Sequence, residues 1–177
     1  MTVTLANVSL DDVDALTALV ISNQADIEAV DPPRPSEWFT AAGQRARVER
    51  ILDETTADAC RCWTIRVDGK VVGDIAISGI SRGAFQSAHL GYLVDTAHRR
   101  RGVATAAVRL AVDAAFGDVS LHRLDAGTLT TNIASQRVLE NCGFHRVGIV
   151  ERYLFIAGEW RDNFLYERVG PDRAPAL

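Results

Sequence analysis

The chain predicts a mixed α/β (α+β) fold in a single domain, and three observations predict it. Strand-length runs of alternating polarity are interleaved with helix-period runs along its length. The stretch "AHLGYLVD", the alanine-rich helical pattern after it and the stretch "LHRLDAGTL" have the spacing of a parallel strand, crossover helix and strand. Two further pairs of strand patterns, around Asp68-Gly69 and around "AGEW", read as antiparallel hairpins. With 177 residues, 47% of them hydrophobic, and no internal repeat, the chain suffices for one full core. One domain is expected over residues 1–170, followed by a loose tail at 171–177.

The elements follow in order. "VTLANV" alternates as a strand and meets Ser9, whose hydroxyl can cap a helix at "LDDVDALTALVIS" with Asp12 in the capping-box position. Pro32, Pro33 and Pro35 then break regular structure, and Ser36 can cap a second helix through "EWFTAAGQRARVERILDE". "CRCWTIRV" and "KVVGDIAISGI" flank Asp68-Gly69, a good two-residue turn. The long helix is expected to begin near Arg101. A short helix follows at "NIASQRVLENCGF", with Asn132 as N-cap and Gly143 at its end. "FHRVGIVERYLFI" and "RDNFLYERV" close the domain as a hairpin.

Composition narrows the function classes. The net charge is −4 and the basic residues are spread along the chain, which argues against direct nucleic-acid binding. No apolar run approaches the roughly 18 residues of a membrane-spanning helix, and the N-terminal stretch lacks a basic region followed by an apolar one. A soluble, cytoplasmic protein without a membrane partner is expected. Cys60, Cys62 and Cys142 have the spacing of neither a disulfide framework nor a zinc site, so reduced, buried thiols and no metal are expected.

Arg99, Arg100 and Arg101 therefore need a local explanation. A solvated face, a nucleic-acid patch and a phosphate cradle compete. The loop "TAHRRRG" follows the carboxyl end of one parallel strand and "TTN" that of the other, so both face the crevice where open α/β sheets bind ligands. Unpaired N–H groups at a helix start and roughly half a positive charge from the helix dipole favour phosphate. Gly102 allows close backbone approach, Ala104 is nearly as small, Thr105 can add a hydroxyl, and arginines add charge-assisted bonds. A pyrophosphate suits the stretch better than solvent does.

"RRRGVA", from Arg99 through Val103 to Ala104, resembles the Q/R-x-x-G-x-G/A signature with which GNAT N-acetyltransferases hold the pyrophosphate of acetyl-CoA. "LHRLDAGTLTTNIASQRVLENCGF", "YLFIAGEWRDNFLYERV" and "DPPRPSEWFTAAGQRARV" are similar to segments of the RimJ/RimL type, which acetylate N-termini of ribosomal proteins. The resemblance implies a mostly antiparallel sheet with one splayed parallel pair and acetyl-CoA as cosubstrate. It further implies a pantetheine arm lying along Tyr92, Leu93 and Val94, with an N–H near Leu93 as oxyanion donor. Asn132 is then a contact to the CoA arm, and Ser135, three residues on, a hydroxyl near the departing sulfur. Asp31 corresponds to an acidic position bordering the acceptor pocket and is the candidate base, although Val30 stands where the family pattern has tryptophan. Leu154 replaces a carboxylate found in some relatives, leaving Glu151 or water as substitutes. Tyr153 is the next candidate donor to the leaving group.

The acceptor amine is expected to be the N-terminus of a ribosomal or other protein. A small-molecule amine and a noncatalytic acyl-CoA-binding module are the alternatives. Homodimerisation through the sheet edge or the closing hairpin is a further implication of the resemblance. Arg123 and Asp125, two apart on one strand face, are expected to form a structural ion pair. His89, His98, His122 and His145 are not spaced as ligands and read as surface or satisfied core groups.

Overall fold

The computed structural model describes residues 1–172 and 174. The tail expected at 171–177 therefore lies largely outside the described residues. Among the described residues, seven strands form one sheet in the order β1-β2-β3-β4-β5-β7-β6. They are β1 (Val3–Asn7), β2 (Cys60–Val67), β3 (Lys70–Ser81), β4 (Ser87–Val94), β5 (Arg123–Leu129), β6 (His145–Ile156) and β7 (Glu159–Val169). Neighbours run antiparallel except β4 and β5. The Asp68-Gly69 turn holds both residues at positive φ, +48° and +83°, the geometry that matches strand twist. Ala157 and Gly158 repeat it in the closing hairpin, at +52° and +83°.

Among the described residues, five α-helices cover the sheet: α1 (Val13–Ser22), α2 (Gln24–Val30), α3 (Ala41–Thr56), α4 (Val103–Phe116) and α5 (Ile133–Asn141). On one face α4 buries Val103, Ala107, Val108, Ala111 and Val112 against Ile65, Ile75, Ile77, Leu90 and Leu124, with Leu139 of α5 in the same cluster. On the other, Leu16 and Leu19 of α1 and Val48 and Ile51 of α3 enclose Cys60 and Cys62. All three cysteines are buried and free, as expected. A buried ion pair, Arg47 to Asp74 at 2.6 Å, ties α3 to β3.

The capping box at Ser9 forms, its N–H donating to Asp12 Oδ2 at 3.0 Å. Several helix boundaries differ from the sequence reading, the run after Ser9 opening as a 3-10 turn at Leu10–Asp12 before α1. The second helix does not begin at Ser36: residues Ser36–Phe39 make a 3-10 turn, Thr40 is extended, and its hydroxyl caps α3 by accepting from Gly43 N at 3.1 Å. Gly43 permits this, since a Cβ there would lie 1.9 Å from the Glu37 carbonyl oxygen. After α1 the chain restarts as α2, because Asn23 leaves the helical path and turns inward to hold another loop.

Candidate active site

The parallel pair is brief. β4 and β5 are paired only over Ser87–His89 with Arg123–Asp125. Beyond that point β4 stays with β3 as far as Val94, and β5 stays with β7 as far as Leu129. The two strands therefore part, leaving one edge of Leu90 to Val94 without a ladder partner, and backbone polar groups in such a gap call for a ligand or water. Gly91 sits in this stretch, paired in register with Ala76 and without a bulge. The gap opens toward the starts of α4 and α5.

At the first of these starts the loop is built to leave donors free. Asp95 Oδ1 accepts from Ala97 N at 3.1 Å, and Asn23, 1% exposed, accepts from Thr96 N at 2.9 Å while donating to Leu19 O at 2.9 Å. Arg100 and Gly102 take left-handed backbone, φ +57° and +78°, and swing the chain into α4. The helix begins at Val103, two residues later than expected, and no side chain caps it. A Cβ on Gly102 would meet nothing within 4 Å, so the approach to its leading N–H groups is open. Arg99, Arg100 and Arg101 are exposed around it, and Ala104 and Thr105 are half-buried in the first turn. Arg99 is already engaged, 2.8 Å from Asp26 of α2.

At the second start, Asn132 accepts from Ser135 N at 3.1 Å and so caps α5, as the sequence predicts. Ser135 Oγ lies 2.9 Å from the Tyr92 hydroxyl. Burial pushes the Tyr92 phenol up to about 12, against the opposing effect of the Ser135 hydrogen bond, so it stays protonated at neutral pH. Tyr92 thus contributes a side chain as well as strand backbone. Leu93 points to the other sheet face, against the α1, α2 and α3 layer, and Val94 is buried with α4.

That other face carries a groove of about 380 Å³, lined among others by Phe85, His89, Asp125, Val147, Tyr153 and Leu165. His89, Gly91 and Leu93 alternate along β4 on this face, and α2 reaches across to β6. Desolvation holds the His89 imidazole below its ordinary range while Asp125 pulls it upward. Arg123 pairs with Asp125 at 2.8 Å, as expected, and also with Glu167, which His145 meets at 2.6 Å. Ser87 Oγ donates to Asp125 at 3.1 Å.

The structure brings Tyr92, Asn132 and Ser135 together beside the parted strands, with Arg99 to Thr105 at the neighbouring helix start. Tyr153 is elsewhere, 41% exposed in the groove with His89, and Ser135 is not among its hydrogen-bond partners. Asp31 ends α2 and is paired with Arg34 at 3.3 Å. Asn163 was not singled out by sequence, and His89 was read only as a surface or satisfied core group, although the period of two already places it on the face of Gly91 and Leu93. Among the described residues, the buried side-chain polar atoms without a hydrogen-bond partner are His98 Nδ1, Thr128 Oγ1 and Asn163 Oδ1. They lie in the arginine loop, on the diverging part of β5, and opposite Leu129 on β7. Such orphans are what a ligand site leaves when described without its ligand. With the open helix start, those of the arginine loop and of β5 fit a phosphorylated, amide-bearing group such as acetyl-CoA.

Known proteins bear on this arrangement. Residues 2–145 match the family described as "Acetyltransferase (GNAT) domain". The chain is 35% identical over 163 residues to Bacillus subtilis "Probable N-acetyltransferase YjcK", covering 91% of this chain and 90% of that protein. It is 29% identical over 106 residues to the Escherichia coli "[Ribosomal protein uS5]-alanine N-acetyltransferase", covering 60% of this chain and 55% of that protein. The structure of ribosomal-protein-S5-alanine acetyltransferase from Vibrio fischeri superposes with a TM-score of 0.93 at 25% identity, over 99% of this chain and 97% of the other. Mycobacterium smegmatis RimJ, solved in complex with CoA-disulfide, gives 0.91 at 29% identity, over 94% and 81%. The chain belongs to the GNAT family of acetyl-CoA-dependent N-acetyltransferases.

Proposed function

We propose that this protein acetylates the α-amine of a protein or peptide N-terminus by direct transfer from acetyl-CoA, without a covalent enzyme intermediate. The observation that carries the reading is the parting of β4 from β5 between two helix starts, one uncapped beneath Gly102 and one holding Ser135 against Tyr92. Acetyl-CoA, when bound, supplies an activated acetyl thioester. The leading N–H groups of α4, with Arg100 and Arg101, hold its pyrophosphate. The free edge of β4 from Tyr92 to Val94 and the Asn132 carboxamide hold its arm. An N–H near Leu93 donates to the oxygen that gains charge as the amine attacks. Ser135, hydrogen-bonded to a protonated Tyr92, gives the departing sulfur its proton.

The acceptor follows from the groove. Among the described residues lining it, the carboxylate is Asp125, and Arg123 is already paired with it. Phe85, Val147 and Leu165 add apolar wall beside the uncharged polar groups of Ser78, Ser87 and Tyr153. A polycation would find no free anion there, whereas an extended peptide carrying one amine is accommodated. The ribosomal-protein acetyltransferases named above support the same class.

The test is CoA release from acetyl-CoA against a panel of peptides and small amines, with mass spectrometry of the products. Acetylation of peptide α-amines is expected, and turnover confined to small amines would overturn the acceptor assignment. Calorimetry of acetyl-CoA binding to Gly102→Glu tests the cofactor site. A carboxylate at that helix start should abolish measurable binding, and undiminished affinity in the folded variant would remove the pyrophosphate from this loop.

A further inference from the structure

Gly127 lies on the groove face of β5, two residues beyond Asp125 and so just past the point where β4 and β5 part. A Cβ placed on it would stand 3.6 Å from Asn163 Nδ2, 3.8 Å from Leu165 Cδ2 and 3.9 Å from His89 Cε1. The missing side chain thus leaves a hollow of one methyl group's size, bracketed by an imidazole and a carboxamide and closed at one side by leucine. Asn163 is 3% exposed, and its Oδ1 has no hydrogen-bond partner. A half-turn about the Asn163 Cβ–Cγ bond exchanges its two ends and brings the oxygen to the hollow.

We propose that this hollow seats the nitrogen of the acceptor amine, with His89 as the general base and the Asn163 carboxamide oxygen accepting a second N–H. The assignment rests on the acetyl-transfer reading. In the step it describes, the amine lone pair forms the N–C bond to the acetyl carbon and the C–S bond breaks with its electrons on sulfur. The proton lost by nitrogen goes to His89, the sulfur is protonated from Ser135 and Tyr92, and both sites re-equilibrate with solvent.

The groups around His89 suit this role. Asp125 and Arg123 of β5 and Glu167 of β7 form one ion cluster of two carboxylates and a guanidinium, met by His145 of β6; Tyr153 of β6 lines the same groove, and Ser78 of β3 is the cross-strand neighbour of His89. The imidazole faces the groove on the exposed side of β4, and the desolvation that acts on it, opposed by Asp125, favours the neutral, proton-accepting form.

The experiment compares Gly127→Ala, Asn163→Leu and His89→Gln with wild type. A methyl on Gly127 makes ordinary van der Waals contacts, so that variant folds while its hollow is filled. Gly127→Ala and Asn163→Leu should raise the peptide KM about tenfold or more and leave acetyl-CoA affinity within about twofold, as for loss of acceptor binding alone. His89→Gln should lower kcat by about 10² to 10⁴ and remove the acid limb of the kcat/KM profile. A readout independent of turnover is the NMR titration of the His89 ring proton without acetyl-CoA: peptide should shift it in wild type and not in Gly127→Ala. A wild type that turns over peptide while Gly127→Ala keeps its KM and His89→Gln keeps the limb overturns the seat alone. A wild type that neither binds acetyl-CoA nor acetylates any amine overturns the transferase reading and this assignment with it.

Discussion

The Tyr92 hydroxyl stands 2.9 Å from Ser135 Oγ, joining β4 to the first turn of α5 beside the gap between the parted strands. The contact couples a backbone-binding strand to the helix that faces it. If the pair serves the leaving thiolate, Ser135→Ala should lower kcat by roughly ten- to a thousandfold with little change in acetyl-CoA affinity. Tyr92→Phe should fall in the same direction, and the double variant should lose little beyond Ser135→Ala, since the two act as one unit. Steady-state kinetics on the best acceptor decides it. Wild-type kcat in Ser135→Ala would remove serine from the chemistry.

Asn132 caps α5, and the proposed contact of its carboxamide with the CoA arm is separable from that cap by substitution. Its side chain accepts from Ser135 N at 3.1 Å, an N-cap worth about 1 kcal/mol. Asn132→Ala should lose that stability in denaturant unfolding and also weaken acetyl-CoA binding. Asn132→Asp keeps the cap and should restore stability without restoring affinity, because a carboxylate cannot donate to the CoA arm.

Arg99 is held 2.8 Å from Asp26, and the two side chains are 46% and 45% exposed. Exposed pairs of this kind contribute about 0.2–1 kcal/mol. Asp26→Asn should therefore free Arg99 for phosphate and tighten acetyl-CoA binding by about two- to fivefold in calorimetry. Arg99→Ala should weaken it and abolish the effect of the Asp26 change.

Asp58 provides a pH signature. Its hydrogen bonds with Arg82, at 2.7 and 2.9 Å, and with Arg61, at 2.6 Å, lower its carboxyl from 3.8 to about 2. The folded pKa lies below the unfolded one, so the stabilisation is complete above about 4 and disappears as pH falls toward 2. The carboxylate is 43% exposed, which limits its effect to about 1 kcal/mol. Asp58→Asn should unfold at lower urea than wild type at pH 7, with the difference shrinking as pH falls from 4 to 2.

Local physics made much of this protein legible in sequence. Two-residue turns that require positive φ located both hairpins, and Ser9 and Asn132 announced helix starts because a short polar side chain satisfies orphan N–H groups there. "RRRGVA" was readable because helix start, glycine and charge are adjacent in the chain. Asn23, His89, Gly127 and Asn163 were different. Asn23 looks like an ordinary turn residue until the arginine loop folds onto it, 73 residues away. Gly127 is a hollow only because His89 and Asn163 arrive from two other strands. The α3 start moved from Ser36 to Thr40 because the Glu37 carbonyl packs on Gly43, a close approach that propensity does not encode. The amino-acid order determined which segments are strands, the capped start of α5 and which loop is positive. Only the tertiary structure decided which side chains share the groove, because β4, β5 and β7 meet there from distant parts of the chain and strand register alone sets what stands opposite what.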